Sequence, residues 1–268
     1  MFAGTTVGNN SGNLLGVHQR IDRVARRHLK TLIGSSYFPD IKDILKFEGN
    51  NGPDGVKRKS PSLDEPWHYI DPKKPHDVSL IQIINDHQAN LAAALYEKNH
   101  ERASFEAAWL AHAIVDGLTP AHHYPLGDKI EELFGKPHYE RLTVKEKNLI
   151  KGDNRRDTVS KNWEYWGGGG IFSNHVMFEF GIMTLILGQS FPVTITDDDI
   201  AKLKEVGFEA MFHEMLHAIV DMQTYELYMK HGWDWRLSKT VRHDLVPLIM
   251  KAVCLGWYAA TLDSEKIS

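Results

Sequence analysis

The chain has 268 residues, 42% of them hydrophobic, which is enough to bury a substantial core and fits one compact domain without demanding two. With 31 basic and 35 acidic side chains the formal net charge is −4, so the chain as a whole exerts no general pull on nucleic acid or an anionic membrane, and any polyanion has to be held locally. The single Cys254 excludes an internal disulfide and a cysteine-rich metal knuckle; fifteen histidines leave a site built from His, Asp and Glu as the alternative.

The opening MFAGTTVGNNSGNLLG has no basic start followed by an apolar core, so no secretory signal is visible. A cytoplasmic location is the expectation unless the chain is already processed. Apolar residues at helical spacing predict helices over about 14–33, 40–47, 78–97, 101–117, 172–189, 198–231 and 240–262, with almost no strand signal. The expected class is therefore all-α. Gly, Pro, Asn and Asp in GNNGPDG, SPSLDEP and DPKKP make 49–77 one irregular excursion. A second runs from Pro120 to Gly170 and carries a short helix near 126–135, the charged KGDNRRD and then WEYWGGGG, whose four glycines bend the chain. The longest apolar run, Phe178 to Leu187, is shorter than the roughly 18 to 20 residues a spanning helix needs, so no transmembrane segment is expected. Nothing in the pattern specifies an oligomer.

The chemistry concentrates in a few places. In AWLAHAIVDGLTPAHHYP, His112 and Asp116 are four apart on a helix and share a face, and the turn at Gly117 and Pro120 would return His122 beside the helix end. His175 and Glu179 in FSNHVMFEF repeat the four-residue spacing. Loop residues Asp54 (GPDG) and His68 (PWHYIDP) and first-helix residues His18 and Asp22 complete the set. The pentapeptide HAIVD also occurs at 217–221, without a wider repeat around it.

The order of these residues, a His on the first helix, an Asp, His-aromatic-x-Asp, His-x3-Asp-x5-His and His-x3-Glu, resembles the metal-ligand pattern of the zinc-dependent phospholipase C and single-strand nuclease superfamily. It spans residues 18 to 179. The resemblance implies a single domain over 1–268, with a long insertion at about 123–170 and a metal cluster at the base of a cleft. It also implies two or three zinc ions: Asp54, His68, His112 and Asp116 on the first, His122, His175 and Glu179 on the second, His18 and bridging Asp116 on the third. Zinc suits such ligands and lowers the pKa of bound water to about 7; Asp54 could also orient that water or take its proton. In the family the third ion is also held by an N-terminal tryptophan, whereas this chain has Met1 and no tryptophan before Trp67. Another mature terminus, Asp22 in substitution, or a weak or empty third site are the options. The insertion is a neutral surface loop or a lid that touches substrate through Trp163, Tyr165 and Trp166.

The implied activity is phospholipase C-type cleavage of a phospholipid head group or other phosphodiester. Single-stranded nucleic acid is the alternative substrate: Lys57 stands three after Asp54, where the nucleases carry a phosphate-binding Arg, and Tyr69 follows His68, where they place a base-stacking aromatic. Lys57, Arg58 and Lys59 also read as a solvated basic loop. Two further alternatives are a zinc metalloprotease built on the HExxH at His213, Glu214 and His217, and a non-catalytic helical scaffold.

Overall fold

A computed structural model describes residues 16–34, 36–62, 66–74, 76–123, 126–192 and 195–267. Among them the structure is all-helical, as the periodicity indicates: α1 Val17–Ile33, α2 Ile41–Ile44, α3 Pro53–Lys59, α4 Ser79–Tyr96, α5 His100–Gly117, α6 Leu126–Phe134, α7 Val144–Asn148, α8 Arg155–Trp166, α9 Ile171–Ile186, α10 Asp197–Asp221, α11 Thr224–His231, α12 Trp235–Thr240 and α13 Val246–Ser264. Met1, and with it the question of an N-terminal metal ligand, lies outside the described residues.

The centre is α13, which packs against α1, α4, α5 and α10. Its Val246, Ile249, Met250, Val253, Leu255 and Trp257 are fully buried, and Trp257 Nε1 donates to the Ala107 carbonyl of α5 at 2.8 Å. Removing a side chain of that size from a close-packed core typically costs about 3–5 kcal/mol. Continued back through Trp235, this helix has the length and mean hydropathy (1.6) of a membrane span, which the run at 178–187 lacks. The resemblance to a span reflects its role in the fold, because 72% of its most apolar window is buried by its neighbours.

Local chemistry sets the ends of the helices. The Asn99 side chain accepts from Arg102 N to start α5. Thr196 and Asp199 form a reciprocal capping box at α10, with three aspartates in the first turn where the helix dipole favours them. The region read as one helix over 198–231 is broken twice: Gly207 (φ 80°) kinks α10, and Gln223 (φ 50°) separates it from α11. Two further departures lie in the excursions. Asp54 is in the first turn of α3 rather than in a loop, and RRDTVSKNWEYW, within the segment read as irregular, forms α8, started by the Asn154 side chain accepting from Asp157 N.

Candidate metal centre

Helix α5 supplies the axis of the site. Alanines at 103, 107, 108 and 111 leave it narrow enough to be enclosed by its neighbours, so the polar His112 and Asp116 are carried inside, 2% and 1% exposed. Buried ionisable groups have to find partners, and they find each other. The Asp116 carboxylate lies 2.5 Å from His68 Nδ1, 3.2 Å from His112 Nε2, 3.4 Å from His18 Nε2 and 3.8 Å from His122 Nε2. Four imidazoles from α1, α5 and two connecting segments therefore meet one carboxylate. On the far side, Glu179 of α9 is 3.0 Å from His122 Nε2 and 2.8 Å from His175 Nε2.

All eight residues expected to hold metal are in this one region. Ligand atoms of seven of them form three groups within 4.8 Å: Asp54, His68 and His112; His122, His175 and Glu179; His18, Glu48 and His112; Asp116, the eighth, reaches a member of each. Glu48 is the addition. It is fully buried, and its Oε2 accepts from His112 Nδ1 at 3.4 Å. Sequence reasoning missed it because it falls at the junction of a predicted helix and a predicted loop; the signal present was a carboxylate within FEGNNG, directly before the turn residues. The backbone there is tight, since a Cβ at Gly55 would collide with the Asn50 carbonyl, and this packing sets Asp54 beside His112 at 3.9 Å.

Electrostatics prepares the imidazoles as ligands. Burial lowers the pKa of His68 to about 4 and that of His122 to about 3, so both are neutral near pH 7. His122 Nδ1 can only donate to the His68 carbonyl, 2.6 Å away, which leaves the lone pair on Nε2 facing Glu179 and Asp116. Adjacent His123 turns elsewhere and donates to the Gly117 carbonyl. Burial and neighbouring His112 lower His18 as well. His112 behaves oppositely: burial pulls it down, but Asp116 and Glu48 override it and hold it well above the ordinary histidine value. Burial alone would raise Asp116, Glu179 and Asp54; nearby positive charge and hydrogen bonds, among them His112 beside Asp116 and Asp54 and His175 beside Glu179, keep all three below the usual carboxylate range. Asp22, buried and facing Glu48, is held well above it.

Several of these buried atoms have no hydrogen-bond partner: both ring nitrogens of His18, Nε2 of His68 and of His112, Oε1 of Glu48 and both carboxylate oxygens of Asp22. Orphaned nitrogen and oxygen lone pairs converging in one pocket are costly unless a cation satisfies them, and a nitrogen and oxygen donor set suits zinc. The residues present fit the group.

Beside His122 opens a cavity of about 140 Å³. Trp67, Tyr69 and His138 line it together with Asp71, Asp77, Asp128 and Glu131, four carboxylates against the one ammonium of Lys74. Lys57 and Tyr69 are brought together, Lys57 Nζ lying 3.5 Å from the Tyr69 hydroxyl and 5.0 Å from the ring centre, with Tyr69 packed on His122. The HExxH segment is elsewhere. His217 and Glu214 are exposed, Glu214 pairs with Lys202, and among the described residues neither His213 nor His217 belongs to a group of three ligands.

No protein-family model matches the chain, and no curated protein sequence matches it. A solved structure does. The fold is similar to that of Clostridium perfringens alpha-toxin isolated from avian strain SWCP, with a TM-score of 0.52 and 14% sequence identity over 97% of this chain. The chain spans 66% of the length of that structure. At such identity the likeness establishes the helical architecture.

Proposed function

We propose that this protein is a zinc-dependent hydrolase of phosphate diesters, a single phospholipase C-like domain with an insertion at about 123–170, acting on phospholipid head groups. The observation that carries the reading is the position of Asp116, one buried carboxylate within 3.8 Å of four imidazoles that belong to neighbouring ligand groups. A lone structural ion has no use for so many donors, whereas two or three ions do. In this reading Asp54, His68, His112 and Asp116 hold the first zinc, His122, His175 and Glu179 the second, and His18 and Asp116 the third, with Glu48 beside it. Bound there, zinc supplies a nucleophile at neutral pH by acidifying water and neutralises charge on the phosphate.

The chain's own groups do the rest. Asp116 fixes the spacing of the two ligand sets. The His68 carbonyl fixes the His122 tautomer, and Glu48 orients His112. Asp54 is ionised and 27% exposed, so it can take a proton at its carboxylate from water arriving from solvent. The four carboxylates of the adjoining cavity favour a substrate that carries a cation next to its phosphodiester, and they repel a polyanion. That charge balance supports the lipid reading. The pairing of Lys57 with Tyr69 supports the second, in which a single-stranded nucleic acid sets a phosphate on the ammonium and a base on the ring.

The test is a parallel assay of a phosphocholine ester, single-stranded DNA and a nitrophenyl phosphodiester, each with zinc and with chelator. Zinc-dependent turnover of the phosphocholine ester with little of DNA is expected. Turnover of DNA alone makes the second reading correct, and turnover of none removes both.

A further inference from the structure

Helix α8 buries none of its residues and turns large apolar side chains toward solvent. Val159, Trp163 and Trp166 follow at i, i+4 and i+7, the spacing of one helix face, and they are 69%, 73% and 39% exposed. Polar side chains tie the helix to the segment before it, as does the Trp166 indole, whose Nε1 donates to the Asn148 carbonyl at 3.2 Å. Asn162 donates to the Ile150 carbonyl at 2.7 Å and accepts from the Ile150 amide, and Thr158 Oγ1 accepts from Gly152 N at 3.0 Å. A soluble helix ordinarily turns its apolar stripe inward, so a stripe with a tryptophan nearly three-quarters exposed is a surface made for another phase or partner. It continues onto the next helix, where Trp166 packs on Phe172 of α9 at 4.7 Å, and three residues further on His175 enters the candidate metal centre.

We infer that α8 and the start of α9 form a docking surface for an anionic phospholipid bilayer. The inference rests on the hydrolase reading above and gives that site its access to lipid. Two observations favour a bilayer over other occupants. Residues 144–166 carry six basic side chains against four acidic ones, a local excess of +2 in a chain whose net charge is −4, and Lys151, Arg155 and Arg156 are exposed beside the stripe. The stripe also mixes aliphatic Val159 with its tryptophans. An amphipathic indole flanked by basic residues suits the head-group boundary, while an aliphatic side chain offers nothing to a nucleic-acid base that needs an aromatic face.

The experiment is co-sedimentation of the full chain, on ice, with vesicles of phosphatidylcholine and phosphatidylserine in a three-to-one ratio and with vesicles of phosphatidylcholine alone. Association is expected with the first and weaker with the second. The double substitution Val159→Asp and Trp163→Asp should weaken it by at least about ten-fold, the factor equivalent to about 1.4 kcal/mol, with the melting temperature unchanged because both side chains face solvent. Lys151→Glu with Arg155→Glu should remove the preference for the anionic vesicles. An unmodified chain that stays in the supernatant overturns the proposal. So does association indifferent to the double substitution, binding of oligothymidylate but not vesicles, or a dimer in sedimentation velocity that the double substitution dissociates. Docking is read on vesicles and turnover on a soluble nitrophenyl phosphodiester. A chain that docks but hydrolyses nothing therefore refutes the hydrolase and not the surface, and the converse result refutes the surface alone.

Discussion

The same five residues, HAIVD, occupy two helices of this molecule and do opposite things. At 112–116 every one of them is buried, His112 stacks on His18 at 3.9 Å, and Asp116 gathers four imidazoles. At 217–221 Ile219 is buried, while His217 and Asp221 face solvent. Four-residue spacing puts a His and an Asp on one face in both cases; the rest of the helix decides which way that face looks. Helix α5 is enclosed on all sides by α4, α13 and α1, and its small residues let them approach. Helix α10 presents Phe208, Met211, Phe212, Met215 and Leu216 to the core and leaves its polar face outside. A ligand pair is made by its surroundings more than by its own motif.

Substitutions made in pairs break or sharpen that contrast. The largest effect is expected from Asp116→Asn, which removes the shared carboxylate and should lower zinc-dependent hydrolysis of a nitrophenyl phosphodiester by about a thousand-fold, equivalent to about 4 kcal/mol of transition-state stabilisation. Asp221→Asn should leave the rate unchanged. Next, His112→Ala strips one partner from a buried charge cluster and should destabilise the fold by about 3–5 kcal/mol in denaturant unfolding. His217→Ala should stay within about 0.5 kcal/mol of the parent.

Acidity gives a third, smaller effect with a definite sign. His68 and His122 have folded pKa values depressed to about 4 and about 3, so below the ordinary histidine value of about 6.5 the unfolded chain binds more protons than the folded one. The metal-free protein should therefore lose melting temperature as pH falls from about 6.5 toward 4. His112 has the opposite sign: its folded pKa is raised, so its contribution is complete below about 6.5 and is lost as pH rises through the folded value. Zinc has to displace that proton, and affinity in a zinc titration should climb with pH across the neutral range. A flat profile contradicts the assignment of His112. A small effect likewise belongs to the outer helix, where Lys202→Ala breaks the exposed pair with Glu214 and should change stability by less than about 1 kcal/mol.

Much of this was legible before any coordinates, for reasons the residues make plain. Helical periodicity marked α1, α4, α5, α9 and α13 because each has a continuous apolar stripe to bury. His112 with Asp116, and His175 with Glu179, could be paired because helix geometry fixes neighbours four apart. Asp54, His68 and His18 joined them only through the resemblance, since no local rule links residues fifty or a hundred positions apart. Glu48 shows the limit: a carboxylate deep in a core leaves no periodic trace, and its meaning appears when it is found against His112. Helix α8 escaped for a different reason. Its apolar residues face outward, so the pattern that signals burial carried no message about the core. The acid-lined cavity draws on Asp71, Asp77, Asp128 and Glu131, which lie in two excursions that read as plain polar loops and a short helix.

The most direct test of the account is the metal content of the intact protein by native mass spectrometry, beside Asp116→Asn and Asp221→Asn. Two or more zinc ions per chain, retained in Asp221→Asn and lost in Asp116→Asn, is the predicted result. A chain that carries no zinc after exposure to it, or one whose zinc is indifferent to Asp116, contradicts it.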